Sequence, residues 1–270
     1  MNTSGAERVR FGQDGDGYLF LPRQTGRAPA VVVLHERYGL VQHTIDLARR
    51  LADDGYVGLA PDLFSRWQGD REALRRGDVR VTLPDSEVAA VICDGLEYLR
   101  QHERVDGDGL VVMGVCQSGR YPIVVASETD KIAAVVVFYG AAQASDWQVN
   151  DLQPRLMEAM LRSLSAPALF VFGEADHIIS LDDVLRLRAA LEAGQRSYRM
   201  KIFPDAPHGW LNDTMPGRYR PEPAAQAWSL LLQFLEDVFD GRWPPPGRVR
   251  WEFESDTSQT YDFSKNVRYE

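Results

Sequence analysis

Residues 109–119 read Gly109-Leu110-Val111-Val112-Met113-Gly114-Val115-Cys116-Gln117-Ser118-Gly119. A run of apolar, partly β-branched residues predicts a strand buried on both faces. It ends at Cys116, and Arg120 to Ser127 predicts the following helix. Glycines at 114 and 119 flank the cysteine, in the spacing of a nucleophile elbow with Cys where Ser is usual. A strand-to-helix turn this tight strains the central residue and needs small neighbours. It projects the side chain at the carboxyl end of the sheet, with helix N–H groups nearby for an oxyanion. The Gln117 amide is the expected donor. Free cysteine is most often a small buried hydrophobe. Cys93, among Val91, Ile92 and Leu96, fits that description; Cys116 fits the elbow.

Outward from this strand the chain alternates strands and helices. Val9–Phe11 and Tyr18–Pro22 predict a hairpin around Asp14-Gly15-Asp16-Gly17. Strands are predicted at 30–34, 56–60, 132–139, 166–172 and 198–203. Helices are predicted at 42–54, 85–102, 181–193 and 224–239. Residues 63–84 predict a long surface excursion with a short helix, lying over the site. This order implies βαβ units and a mostly parallel sheet, an α/β fold with helices on both faces. Residues 1–240 are expected to form one domain. The extension 241–270 opens with Trp243-Pro244-Pro245-Pro246, has a strand-like stretch at 248–254, and carries Trp251, Phe253, Tyr261 and Phe263. It is expected to dock on its own domain or on a partner subunit, with a homo-oligomer as one outcome.

A thiol needs a base, and His208 lies in a loop between Pro207 and Gly209. Asp176, just after the 166–172 strand, is the carboxylate expected to orient it; Glu174 is the competing acid, and His177 reads as an ordinary loop residue. Nucleophile, acid and histidine follow in the chain order of the α/β-hydrolase fold. Glu36 ends a central strand where the oxyanion loop of such folds lies. It is either a site carboxylate or a surface acid paired with Arg37.

The 270 residues carry a formal net charge of −9, which argues against nucleic acid or anionic membrane as partner. Two cysteines and the absence of a leader-like apolar run point to a reducing, cytoplasmic setting. No apolar run is long enough for a membrane span. The five histidines show no paired metal-ligand spacing, so neither metal nor other cofactor is expected.

Together these pieces resemble the dienelactone hydrolases, the carboxymethylenebutenolidase family. The matching segments are Leu34-His35-Glu36-Arg37-Tyr38-Gly39, Gly58-Leu59-Ala60-Pro61-Asp62-Leu63-Phe64, the Cys116 elbow, Phe172-Gly173-Glu174-Ala175-Asp176 and Pro207-His208-Gly209-Trp210. The resemblance implies an α/β-hydrolase that cleaves a small ester or lactone through Cys116, His208 and Asp176, without a cofactor. It implies that Glu36 contacts the thiol at rest and takes its proton when substrate moves it, with the Gln117 and Arg37 amides holding the oxyanion. Tyr38, Arg76, Arg80, Trp210 and Asn212 are the candidate substrate-binding residues. Family members hold the substrate carboxylate with arginines, one of them four residues after the histidine, where this chain has Asn212. Arg71, Arg75, Arg76 and Arg80 are candidates for the other arginine, and Arg218 and Arg220 for a replacement. Two further readings are a broad carboxylesterase and a non-catalytic binding protein on a hydrolase scaffold.

Overall fold

The computed structural model describes residues 1–257. Among these residues nine strands form one sheet: β1 (Glu7–Phe11), β2 (Gly15–Phe20), β3 (Ala28–Leu34), β4 (Val57–Pro61), β5 (Val105–Val115), β6 (Ala134–Phe138), β7 (Ala168–Gly173), β8 (Tyr198–Phe203) and β9 (Trp251–Ser255). Their spatial order is β1-β2-β4-β3-β5-β6-β7-β8-β9. β1 and β2 add antiparallel at one edge, and every pairing from β4 through β9 is parallel. The expected hairpin forms, but its turn is Gly12 to Asp14 and Gly15 already belongs to β2. A side chain on Gly17 would strike the Ala60 carbonyl, so these glycines serve close strand contact as well as turning.

The helices are α1 (Gln42–Asp53), α2 (Arg71–Arg76), α3 (Asp85–Gln101), α4 (Arg120–Ala126), α5 (Met157–Ser163), α6 (Leu181–Ala193) and α7 (Pro221–Phe239). The side chains of β3 alternate between two cores. Val32 and Leu34 pack in the core that takes residues from α3, α4, α5 and α6, while Val31 and Val33 pack in the core shared with α1 and α7. A strand that is apolar at every position is thus explained by helices on both sides. On α3, the residues Val88, Val91, Ile92, Leu96 and Leu99 are buried at helical spacing. Cys93 falls off that stripe and is exposed, contrary to the expected burial.

The excursion after β4 contains α2, capped by the Asp70 side chain at its start and by left-handed Gly77 at its end. At the far edge, β9 pairs with β8; Glu252 meets Arg199, and Glu254 meets Lys201 across the pair. Tyr261 and Phe263 of the extension lie outside the described residues. No helix among the described residues is long and apolar enough to cross a membrane.

Candidate active site

The strand order decides the site. β3, β5, β6, β7 and β8 are adjacent and parallel, so their carboxyl ends open on one edge of the sheet. Glu36 and Arg37 follow β3, Cys116 follows β5, Tyr139 follows β6, Asp176 follows β7, and His208 and Asn212 follow β8. Residues spread over 176 positions of sequence thereby meet.

Cys116 has a left-handed backbone, φ 58°, although it carries a side chain. The elbow can hold it because nothing crowds the turn. A Cβ on Gly114 would lie 2.5 Å from the Ser118 carbonyl, and one on Gly119 would lie 2.6 Å from the Cα of Gly140. Gly140 faces back in turn, 2.6 Å from the Cys116 carbonyl by the same measure. Ser118 secures the turn from inside, its hydroxyl accepting from the Val115 amide and lying within reach of the Leu34 and Val115 carbonyls.

The thiol lies 3.0 Å from His208 Nε2, and His208 Nδ1 lies 2.9 Å from Asp176 Oδ2. The other Asp176 oxygen accepts from the amides of Ile178 and Ile179, which orients the carboxylate. Burial alone would push the His208 pKa down. The charges of Asp176 and Cys116, with hydrogen bonds to both, outweigh it and hold the imidazole well above its ordinary range. Of the two acids considered, it is Asp176 that reaches the imidazole. Glu174 is buried as well and accepts from the Asp205 amide.

Glu36 is neither on the surface nor paired with Arg37. It is buried, its Oε1 accepting from the Tyr139 hydroxyl at 3.3 Å and its Oε2 from Asn212 Nδ2 at 2.6 Å. The expected resting contact between Glu36 and the thiol is therefore absent among these hydrogen bonds: the thiol's partner is His208. His35 steadies this corner. Its Nε2 accepts from the Leu63 amide, which leaves the proton on Nδ1 to donate to the Glu36 carbonyl. Burial, then the charges of Glu36 and Cys116, push the Tyr139 phenol well above its usual range, so it stays a donor.

The remaining candidates divide by position. Arg37 donates to the Gly77 carbonyl and lies over the Tyr38 ring, and Gln117 donates its side-chain amide to the Val81 carbonyl. Both residues thus clasp the excursion to the site. Tyr38 is half-buried, and burial raises its pKa against the opposing charges of Arg37 and Arg218. Arg218 passes beside Gly209, next to His208. Arg80 lines a cleft of about 390 Å³ with Gln117, Gln143 and His177. Arg76 is exposed and paired with Asp78, Arg75 with Glu72, and Arg71 with Asp62, while Arg220 donates to carbonyls of its own loop. Trp210 is a core residue rather than a cleft residue: it is fully buried, edge-on to Phe138, Tyr139 and Phe203. Asn212 is buried as well, its amide committed to Glu36. His177, read from sequence as an ordinary loop residue, stands edge-on to the His208 ring at 6.2 Å. Tyr139 was legible only as the last residue of a buried strand, and nothing in its local sequence announces the contact with Glu36.

The dienelactone hydrolase family model matches residues 16–239. The chain belongs to the dienelactone hydrolase family. A Methylorubrum extorquens protein named as a carboxymethylenebutenolidase is 30% identical over 230 residues, covering 83% of this chain and 77% of its own. A Bradyrhizobium protein named as a 2-oxo-3-(5-oxofuran-2-ylidene)propanoate lactonase is 30% identical over 238 residues, covering 86% and 94%. A crystal structure described as that of a Klebsiella pneumoniae dienelactone hydrolase superposes with a TM-score of 0.76 at 27% identity, over 86% of this chain and 98% of that one. Membership makes this chain a relative of hydrolases that act on esters or lactones.

Proposed function

We propose that the protein hydrolyses an ester or lactone through a cysteine acyl-enzyme, with Cys116 as nucleophile, His208 as general base and acid, and Asp176 as its orienting partner. The observation that carries this reading is the continuous hydrogen-bonded chain from thiol to imidazole to carboxylate. The Cys116 proton passes to His208 Nε2, and the thiolate attacks the carbonyl carbon. The amides of Gln117 and Arg37 are the donors assigned to the oxyanion. As the tetrahedral intermediate collapses, the carbon–oxygen bond breaks and His208 returns the proton to the leaving enolate or alkoxide. Water then gives a proton to His208 and attacks the thioester, and the thiol is released with that proton. A thiolate is itself a good leaving group, so the scheme suits substrates with stabilised leaving groups, such as enol lactones.

The names of the relatives support a lactone whose ring opens to an enol. A substrate carboxylate would find Arg218 beside Gly209, or Arg80 in the cleft. A broad carboxylesterase is the second reading, favoured by Asn212 at the position where the family resemblance implied an arginine. The deciding experiment is hydrolysis of cis- and trans-dienelactone beside a neutral activated ester, by wild type and Cys116→Ala. Turnover lost in the variant supports the cysteine route. Lactone turnover supports the first substrate class, and turnover of the neutral ester alone supports the second. Turnover that survives Cys116→Ala would overturn the cysteine route.

A further inference from the structure

Glu36 takes no part in the Cys116–His208–Asp176 chain, yet it is buried in the same site. Both its oxygens accept from neutral donors, Tyr139 and Asn212. Asn212 has no freedom to turn away. Its Oδ1 accepts from the Thr214 amide at 3.0 Å and hydroxyl at 2.6 Å, which fixes Nδ2 toward Glu36. Its backbone N–H donates to the Gly209 carbonyl, in the loop that presents His208. A buried carboxylate stripped of this donor would seek another, and the thiol is a weak donor in the same pocket. A carboxylate against the thiol would oppose thiolate formation and compete with His208.

We propose that Asn212 is a positioning residue: by anchoring Glu36 it keeps the carboxylate off Cys116, so that His208 alone accepts the thiol proton and activation precedes substrate binding. A substrate then needs no charge of its own to move Glu36, and neutral esters or lactones are activated on the same terms as anionic ones. The inference rests on Cys116 being the nucleophile. The groups that interact with the Cys116 charge are His208 from the loop after β8, Tyr38 after β3 and Tyr139 after β6, and the other charges acting on these three are Asp176 after β7, Glu36 and Arg37 after β3, and Arg218.

The test is the alkylation rate of Cys116 by iodoacetamide as a function of pH, without substrate. A Cys93→Ser background is needed because Cys93 is exposed. The proteins are the parent, Asn212→Leu, Glu36→Gln and the double variant. The expected result is that Asn212→Leu moves the profile up by about one pH unit, roughly tenfold slower alkylation on its lower limb, and that adding Glu36→Gln restores it. A profile unmoved by Asn212→Leu would overturn the proposal, and so would a shift that persists without the Glu36 charge, since that marks a merely structural role. If the leucine variant does not fold, Asn212→Ser, too short to span to Glu36, takes its place. Alkylated parent that still turns over ester would instead remove the nucleophile reading itself.

Discussion

Gln117 donates its side-chain amide to the Val81 carbonyl across 2.7 Å, tying the residue after Cys116 to the excursion that follows β4. Arg37 makes the matching tie to the Gly77 carbonyl at 2.7 Å. The residues assigned to the oxyanion site by their backbones therefore also hold residues 77–81 by their side chains. Gln117→Ala is expected to cost about 1 kcal/mol of local stability, the net worth of one such hydrogen bond. Amide hydrogen exchange should speed up within residues 77–83, and kcat/KM should fall. Unchanged exchange in that segment would refute the clasp.

The His208 imidazole is held above its usual range, so its pairing favours the protonated form in the folded state. A pKa raised by folding contributes stability that is fully present below the unfolded value, about 6.5, and is lost as pH rises through the higher folded value. His208→Gln should therefore lose most stability relative to wild type below about pH 6.5, with the gap narrowing as the solution is made more alkaline. Denaturant unfolding across this range measures it. Cys116→Ala removes one of the causes of the shift, so His208 should titrate lower by NMR in that variant.

Burial raises the Asp146 carboxyl to about 6, against the opposing pull of the Gln143 amide and Arg120. The sign here is opposite to that of a paired carboxylate. The fold prefers the neutral acid, so wild type should lose stability as pH rises between 3.8 and about 6. The full penalty is of the order of 3 kcal/mol at most, from roughly two pKa units. Asp146→Asn keeps an acceptor for the Gln143 amide and removes the titration. Its stability relative to wild type should improve across that window and level off above it; a constant difference would contradict the assignment.

Trp210 is fully buried, and its ring supports Tyr139, which holds Glu36. Trp210→Ala should cost about 3–5 kcal/mol, the range for emptying a large aromatic site in a core. Trp210→Phe should cost less, because the indole Nε1 has no hydrogen-bond partner to lose among the described residues. If Trp210→Ala changed KM with no loss of stability, the residue would belong to the cleft after all.

Much of the fold was legible because the signals are local. The valines at 31–33 and 111–112 mark strands covered on both faces, and Val88 to Leu99 mark a helix by spacing. The elbow was legible for the same reason: strand, small residues, cysteine and helix are contiguous. What misled the reading was also local. Cys93 has apolar neighbours in sequence, yet its angle around α3 faces it outward. Trp210 sits beside the site histidine in sequence, yet the loop turns its ring into the core.

The amino-acid sequence by itself determined the parallel α/β sheet, the strained turn at Cys116 and the chain order of Cys116, Asp176 and His208, because each depends on a few adjacent residues. Only the tertiary structure decided the partners of the buried polar groups. The thiol could have met Glu36 or His208, and Glu36 could have met Arg37, the thiol or Asn212. Those choices are made where five strand ends converge, by distances of a few ångströms between residues as far apart as Glu36 and Asn212. A buried carboxylate takes the donors that its packing brings within reach, and sequence spacing does not encode that reach.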